Sequence, residues 1–318
     1  MDCLSPLRQS YVLILLSALL ASGCGESKTL ASIRVDGSST VFPLSMAVAE
    51  DFRTDHPRIK VPVRASGTGS GMKQFSVGEI DICDASRHMT DAEKAKCEEN
   101  KVEYIELTIA FDGLAVVVNP QNDWCDCITV EQLKSIWRPE SDGTVTKWSD
   151  VNPDWPDEEL KLYGPGTDSG TFDYFTEVIC GEARASRPDY TASENDNALV
   201  RGVVADKGAL GYFGIAYYVE NKEDLKLLGV NDGSGCVVPS EATVRDGTYK
   251  PLSRPLMIYV NKKSLDRPEV ADFVKFYLAN TARLSTEVGY VPVTDDVAAE
   301  NDKLLEEALP KTAAAATN

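Results

Sequence analysis

The chain has 318 residues, of which 43% are hydrophobic, and its formal net charge is −18. A chain of this length and composition can bury a substantial core, and its length favours two domains over one. The acidic excess excludes nucleic acid and anionic membrane surfaces as partners held by a basic face, so any bound anion must be held by local dipoles and charges.

The N-terminal segment has the pattern of an export signal. Arg8 precedes an apolar stretch over residues 11–20, which is too short to span a bilayer comfortably. Small residues then lead to Cys24 in LASGC, which resembles a bacterial lipobox except that Ala21 stands where leucine is commonest. We expect residues 1–23 to be a signal peptide, Cys24 to be lipidated, and the exported protein to be anchored in the periplasm or cell envelope. Ordinary cleavage near the same point is the alternative.

The cysteines and histidines give no metal motif. Export makes disulfides plausible, and the six cysteines other than Cys3 and Cys24 allow 15 pairings that sequence alone does not rank. The C-x-C spacing of Cys125 and Cys127 and the separation of His56 from His88 do not fit a metal site, so we expect neither metal nor cofactor. The six are Cys83, Cys97, Cys125, Cys127, Cys180 and Cys236.

From Ile33 onward, short β-rich runs alternate with helical patterns, which is typical of an α/β fold. SIRVDGSST predicts a strand and a polar turn, and the next run places Leu44, Val48 and Phe52 on one helical face. A second predicted strand covers residues 59–63 by alternation and is followed by the glycine-rich turn of SGTGSGMKQF.

The third predicted strand ends in DASR, and Thr90 or Asp91 is expected to cap the helix that follows. Farther along, DGLAVVVNP and RPLMIYVNK have similar shapes and are predicted to be crossovers between two lobes. The predicted division is lobe I at 24–110 plus 253–308, lobe II at 111–252, and a disordered tail at 309–318.

Glycine-rich or hydroxyl-rich turns stand at four strand-to-helix junctions, in DGSSTVF, ASGTGSGMK, DASR and GTDSGTF. Such junctions lie at the carboxyl ends of strands in an open α/β sheet, where ligands bind. Free N–H groups and the positive dipole of a helix N-terminus attract anions. Each turn alone is explained by ordinary capping, whereas four together favour an anion site.

Three enzymatic or nucleotide motifs are not matched by these turns. GTGSGMK does not match the P-loop motif. It does not match G-x-G-x-x-G either, because Met72 occupies the place of the third glycine. GTDSG is not G-x-S-x-G, and Ser169 has no evident histidine partner except His88. We therefore disfavour nucleotide binding and hydrolysis.

Arg87 follows Ser86 in a turn expected at a strand end. A guanidinium can hold two oxygens of a tetrahedral oxyanion at once. The alternative is a surface arginine that pairs with Asp84 or Asp91.

Taken in order, DGSSTVFPL, SGTGSGMKQF, DICDASRHM, YGPGTDSGTFDYF, GALGYFGIAYY and RPLMIYVNK resemble the periplasmic phosphate-binding proteins of bacterial ABC importers. The resemblance implies a two-lobed type II periplasmic-binding-protein fold of the α/β class with two hinge crossovers. It also implies inorganic phosphate as ligand, the membrane permease of an ABC importer as partner, and no enzymatic activity. We expect a monomer.

The resemblance further implies the phosphate-binding residues, which are hydroxyls, helix N–H groups and one guanidinium at Ser39, Thr40, Val41, Thr68, Ser86, Arg87, Ser169, Gly170 and Thr171. Two positions depart from better-known members, because Pro165 stands where they have an arginine and Arg87 where they have an aspartate. We expect the positive partner to come from lobe I instead.

The displaced aspartate raises the question of specificity. A buried carboxylate accepts the proton of HPO₄²⁻ and repels fully ionised sulfate. Asp168, directly before the S-G-T turn, is our candidate for this role, and a helix N-cap is its alternative role.

Three other functions stay open. The ligand could be sulfate, molybdate or arsenate, the protein could hydrolyse phosphate esters, or it could be a structural or adhesive surface lipoprotein. Turnover of a chromogenic ester would identify the second, and a lack of small-anion affinity the third.

Overall fold

The computed structural model describes residues 31–167 and 169–310. The predicted signal peptide, Cys24, Asp168 and most of the predicted tail lie outside these residues.

The described residues form strands and helices that alternate through most of the chain. The strands are β1 (Ala31–Ser32), β2 (Val35–Gly37), β3 (Ile59–Lys60), β4 (Val63–Arg64), β5 (Ile82–Ala85), β6 (Tyr104–Val118), β7 (Cys127–Thr129), β8 (Lys161–Pro165), β9 (Thr191–Ser193), β10 (Ala209–Gly214), β11 (Lys226–Leu227), β12 (Gly229–Asn231), β13 (Cys236–Val237), β14 (Ser253–Asn261) and β15 (Val291–Pro292). The α-helices are α1 (Phe42–Asp55), α2 (Thr68–Phe75), α3 (Asp91–Glu99), α4 (Val130–Trp137), α5 (Trp148–Val151), α6 (Gly170–Phe175), α7 (Asp196–Ala205), α8 (Ile215–Glu220), α9 (Glu241–Arg245), α10 (Pro268–Glu287) and α11 (Asp295–Ala308). Short 3-10 helices cover Pro139–Ser141 and Lys262–Asp266, and a π-helical turn covers Thr176–Cys180.

The main sheet has the strand order β4-β2-β5-β14-β6-β10-β8-β9, and β11 and β15 also pair with β6. Strands β4, β2 and β5 run parallel in one half, and β10, β8 and β9 run parallel in the other. Between these halves, β6 is antiparallel to both β14 and β10. The carboxyl ends of the parallel strands are therefore where loops from the two halves can form a site.

Strand β6 runs from one half of the sheet into the other. Its residues 104–113 pair with β14, whereas its residues 114–118 pair with β10. The segments DGLAVVVNP and RPLMIYVNK, predicted to be crossovers, lie at β6 and β14. In their register, Asp112 is opposite Arg254.

The first half of the sheet is covered on both faces. Leu44, Val48 and Phe52 of α1 are fully buried against Phe273 and Tyr277 of α10, which confirms the helical face predicted from their spacing. The opposite face buries residues of α2, α3 and β14. Two apolar faces sandwiching a sheet account for its fully buried central strands.

Aromatic rings fill the core of the second half. The rings of Phe175 and Tyr212 stack with centroids 3.7 Å apart, and Trp137 meets both edge-on. A separate cluster around Leu199 and Val203 covers the other face of this half. These rings anchor α6, whose N-terminus faces the cavity described below.

One sequence prediction differs in detail from the structure, and two alternatives that the sequence left open are resolved by it. The strand predicted over residues 59–63 is divided into β3 and β4, because Pro62 has no N–H to donate to a ladder. The cap of α3 is Thr90, which forms a capping box with Glu93. The sequence did not rank the possible cysteine pairings. In the structure, Cys127 and Cys236 form a disulfide that joins β7 to β13, whereas the thiols of Cys83, Cys97, Cys125 and Cys180 are free.

Candidate functional site

A cavity of about 560 Å³ lies between the two halves of the molecule. Its wall carries many hydroxyls and glycines, two arginines and two carboxylates. The lining residues are Ser38, Ser39, Thr40, Gly67, Thr68, Gly69, Ser86, Arg87, Gly170, Asp173, Tyr174, Glu177, Val178, Ala183 and Arg254. Each of the four turns predicted from the sequence contributes at least one residue.

The first turn, residues 38–41, joins β2 to α1. A Cβ at Gly37 would lie 2.1 Å from the carbonyl oxygen of Asp84, so only glycine fits where the turn begins. Ser38 then accepts hydrogen bonds through Oγ from the N–H of Thr40 at 3.2 Å and of Val41 at 3.4 Å. Val41 is fully buried and does not line the cavity, whereas Thr40 does.

The second turn brings an uncapped helix start to the cavity. Gly67, at φ 90°, precedes α2, and no side chain caps this helix. The Oγ1 of Thr68 instead lies 3.2 Å from the Oγ of Ser86. The first N–H groups of α2 therefore lie beside two adjacent hydroxyls, which is an arrangement suited to an anion.

Arg87 lines the cavity but already has a carboxylate partner. Its Nη1 and Nη2 each lie 2.9 Å from an oxygen of Glu93, and Nη1 also donates to the carbonyl of His88. Hydrogen bonds from Arg87 lower the pKa of Glu93 to about 2. The alternative partners considered from the sequence, Asp84 and Asp91, were wrong. The acid that lies beside Arg87 is Glu93, which also forms the capping box of α3.

Asp84 is instead buried beneath the first turn. Its Oδ1 accepts a hydrogen bond from Ser45 at 2.9 Å, and Ser45 lies 2.9 Å from the hydroxyl of Tyr277. Its Oδ2 has no hydrogen-bond partner among the described residues. Burial raises the pKa of Asp84 to about 8, which favours the neutral form of the carboxyl.

The S-G-T turn supplies the wall from the second half. The Oγ of Ser169 caps α6 by accepting from the N–H of Thr171 at 3.2 Å. Gly170 lines the cavity, and Ser169 and Thr171 flank it. Phe172, Phe175 and Ile179 are buried behind the turn, as their spacing predicts. Asp168 precedes this turn and lies outside the described residues.

Arg254 is a cavity residue to which sequence reasoning assigned no role. Its Nη2 lies 2.6 Å from the Oγ1 of Thr40, and both Nε and Nη2 lie 3.1 Å from Oδ2 of Asp112. Its guanidinium stands 3.5 Å from the ring centroid of Tyr174. Burial raises the pKa of Asp112, and the charge of Arg254 partly opposes this. The sequence did contain one indication of this ion pair, because Asp112 and Arg254 begin the two similar crossover segments and carry opposite charges.

The two acidic residues of the wall differ in their surroundings. Asp173 is paired with Arg184, whose Nε lies 3.0 Å from its Oδ1, whereas Glu177 is exposed. Within 31–167 and 169–310, no three His, Cys, Asp or Glu side chains are grouped so as to hold a metal ion. A search of the same residues finds no helix with the length and apolar character needed to cross a membrane.

Comparison with known proteins finds relatives over most of the chain. Residues 22–281 match the family described as the PBP superfamily domain. Protein SphX of Synechocystis sp. is 49% identical over 92% of this chain and 88% of its own length. The phosphate-binding protein PstS of Staphylococcus aureus is 38% identical over 85% of this chain and 80% of its own.

A solved structure is similar in both sequence and fold. It is described as that of a possible phosphate binding protein from Planctomyces limnophilus, with 51% identity and a TM-score of 0.85. The match covers 88% of this chain and 99% of the other.

Proposed function

This chain belongs to the PBP superfamily, and from that premise we propose that it is a receptor that binds inorganic phosphate between two lobes and delivers it to the permease of an ABC importer. The two-lobed α/β fold predicted from the sequence is confirmed by this membership and by the similar solved structure. The lobe boundaries, 24–110 plus 253–308 and 111–252, remain a prediction.

One observation carries the proposal most directly. The N-terminal ends of α1, α2 and α6, which come from both halves of the molecule, meet at one cavity with hydroxyls and two arginines in its wall. Helix N-termini and guanidinium groups are the elements that proteins use to bind phosphate oxygens. In a chain with a net charge of −18, such local groups must supply the attraction for an anion.

We propose that the ligand oxygens are held by side chains and N–H groups of both lobes. Ser39, Thr40, Thr68, Ser86, Arg87 and Gly170 line the cavity, which supports this role. Val41, Ser169 and Thr171 would contribute N–H groups or hydroxyls from positions just behind the wall. This assignment requires Arg87 to share its guanidinium between Glu93 and the ligand, and the N–H groups held by Ser38 and Ser169 to exchange partners.

Several finer features belong to the same proposal. Asp168 would select phosphate over sulfate by accepting the proton of HPO₄²⁻, and Cys24 would carry a lipid after removal of residues 1–23. The receptor would act as a monomer and catalyse no reaction. The names of the relatives support phosphate among tetrahedral oxyanions.

A panel of ligands tests this function. Thermal unfolding of the mature protein, stripped of bound anion, is followed with phosphate, arsenate, sulfate and molybdate. A ligand at 100 times its Kd stabilises a folded protein by about 2.7 kcal/mol, so a clear rise in Tm with phosphate is expected. A rise with sulfate or molybdate alone would assign a different oxyanion. Release of product from a chromogenic phosphate ester would instead indicate a hydrolase.

A further inference from the structure

We propose that Arg254 is a positioning residue that holds the two lobes together and thereby slows release of the bound anion. This inference rests on the proposed phosphate function, because release is measured with that anion. Its basis is the set of partners that Arg254 contacts, each of which lies on a different part of the molecule.

The guanidinium bridges both lobes and the crossover strands. It contacts Thr40 in the first turn of lobe I through the 2.6 Å bond to Oγ1. It stands over the ring of Tyr174, in α6 of lobe II, at 3.5 Å from the ring centroid. Arg254 itself lies on β14, and its carboxylate partner, Asp112, lies opposite on β6. A change in the angle between the lobes must therefore alter at least one of these contacts.

The environment of Arg254 favours a fixed position over a mobile one. Its side chain is 12% exposed and that of Asp112 only 3%, so the ion pair is shielded from water. A charge pair of this kind resists separation, because either charge alone would be buried without a partner. A cation stacked on an aromatic ring gains further attraction when water is excluded. The ring is fixed in turn by a hydrogen bond from the Tyr174 hydroxyl to the carbonyl of Pro251 at 2.6 Å.

Two further contacts hold Thr40 in place beside Arg254. The hydroxyl of Tyr290 donates to the carbonyl oxygen of Thr40. Gly170, at the start of α6, also lies against Thr40. Arg254 thus connects the turn that precedes α1 with helix α6. Separating the lobes to release the anion therefore requires breaking these contacts.

The test compares Arg254→Gln and Arg254→Lys with the wild type. A matched control is Arg283→Gln, which removes a surface arginine of α10 that pairs with Glu287 on the same helix and with Asp51 on α1. Small-angle scattering gives the radius of gyration without ligand, and stopped-flow tryptophan fluorescence with inorganic phosphate gives the association and dissociation rates. Arg254→Gln leaves the buried carboxylate of Asp112 without its partner. The double variant Asp112→Asn with Arg254→Gln removes that carboxylate and is used if the single variant folds poorly.

We expect both Arg254 variants and the double variant to have a larger radius without ligand and a dissociation rate at least tenfold faster. The association rate should change less than threefold. Arg254→Lys should have the same larger radius and faster dissociation as Arg254→Gln, because the point charge of lysine cannot bind Thr40 and Asp112 while stacking on Tyr174. Arg283→Gln should match the wild type in every measurement.

Two results would overturn the proposal. One is an unchanged radius and dissociation rate in all three variants. The other is a lysine variant that behaves as the wild type while glutamine slows association, which would assign Arg254 a purely electrostatic role. Failure of the wild type to bind phosphate would count against the proposed function instead, and the scattering comparison would still decide whether Arg254 holds the lobes.

Discussion

Gly170 in the second half of the molecule lies directly against Thr40 in the first. A Cβ built on Gly170 would stand 3.1 Å from the Oγ1 of Thr40, 3.2 Å from its Cα and 3.3 Å from its backbone nitrogen. Such distances are tighter than ordinary van der Waals contacts, and two of the three atoms belong to the backbone. The S-G-T turn therefore approaches the first turn as closely as it does because residue 170 has no side chain.

Replacing Gly170 with alanine should weaken phosphate binding about tenfold, or by ~1.4 kcal/mol, because the new methyl group pushes the two turns apart. The Kd is measured by titration calorimetry, and circular dichroism checks that the fold is retained. The matched control is Gly214→Ala, which lies outside the cavity wall and where the nearest atom to a Cβ is Cδ2 of Tyr217 at 3.7 Å. Equal Kd values for the Gly170 variant and the wild type would show that the turns need not approach so closely.

Removing the guanidinium of Arg87 should weaken phosphate binding. We expect Arg87→Gln to cost about 2 kcal/mol, or ~30-fold in Kd, as is typical when a charged hydrogen-bond partner is lost. Fluorescence titration at two ionic strengths gives the Kd values. A Kd within twofold of the wild type at both would assign Arg87 to the capping network of α3 rather than to the ligand.

Glu93→Gln should have the opposite effect. Glutamine can retain the capping box with Thr90 while the charge that neutralises Arg87 is lost. The pair is partly exposed, so we expect phosphate affinity to rise about two- to fivefold, or ~0.5–1 kcal/mol. Glu99→Gln on the same helix removes a carboxylate that pairs with Lys96 and serves as the control for net charge. Weaker binding by Glu93→Gln would contradict the idea that Arg87 is shared with the ligand.

The buried carboxyl of Asp84 should make stability depend on pH. The folded protein keeps this proton up to about pH 8, whereas an aspartate in the unfolded chain loses it near its ordinary pKa of 3.8. The free energy of unfolding, measured relative to Asp84→Asn, should therefore fall as the pH rises between about 4 and 8, by at most about 1.4 kcal/mol per pH unit. Urea unfolding of both proteins across this range measures the difference. Parallel stability profiles would show that Asp84 is ionised when folded.

Asp168→Asn should narrow the preference for phosphate over sulfate by about tenfold or more, because the amide can donate to a fully ionised oxyanion that the carboxylate repels. Competition titrations with the two anions measure the ratio of Kd values. Asp173→Asn is the control, since this nearby acid is paired with Arg184. An unchanged ratio in the Asp168 variant would leave that residue only the role of a helix cap.

Local patterns predicted much of the fold. The spacing of Leu44, Val48 and Phe52 correctly predicted a buried helical face, because a helix repeats its environment every 3.6 residues. Periodicity could not locate the break between β3 and β4, where alternation continued but Pro62 lacked a ladder donor.

Residues of the site that depend on distant pairing were harder to predict. The glycine and hydroxyl turns could be found because each is a local strand-to-helix junction. The alternative partners considered for Arg87, Asp84 and Asp91, were wrong, since Glu93 of α3 is the acid that lies beside its guanidinium. Arg254 was overlooked because its role depends on the register between β14 and β6, which brings Asp112 opposite it across 142 residues.

The most direct test of the central claim is calorimetric titration of the mature protein, stripped of bound anion, with phosphate and then with sulfate. We predict tight one-to-one binding of phosphate and negligible heat with sulfate. Equal binding of the two anions would contradict the proposed specificity. No binding of either would contradict the receptor function and leave the turns at the cavity as ordinary helix caps.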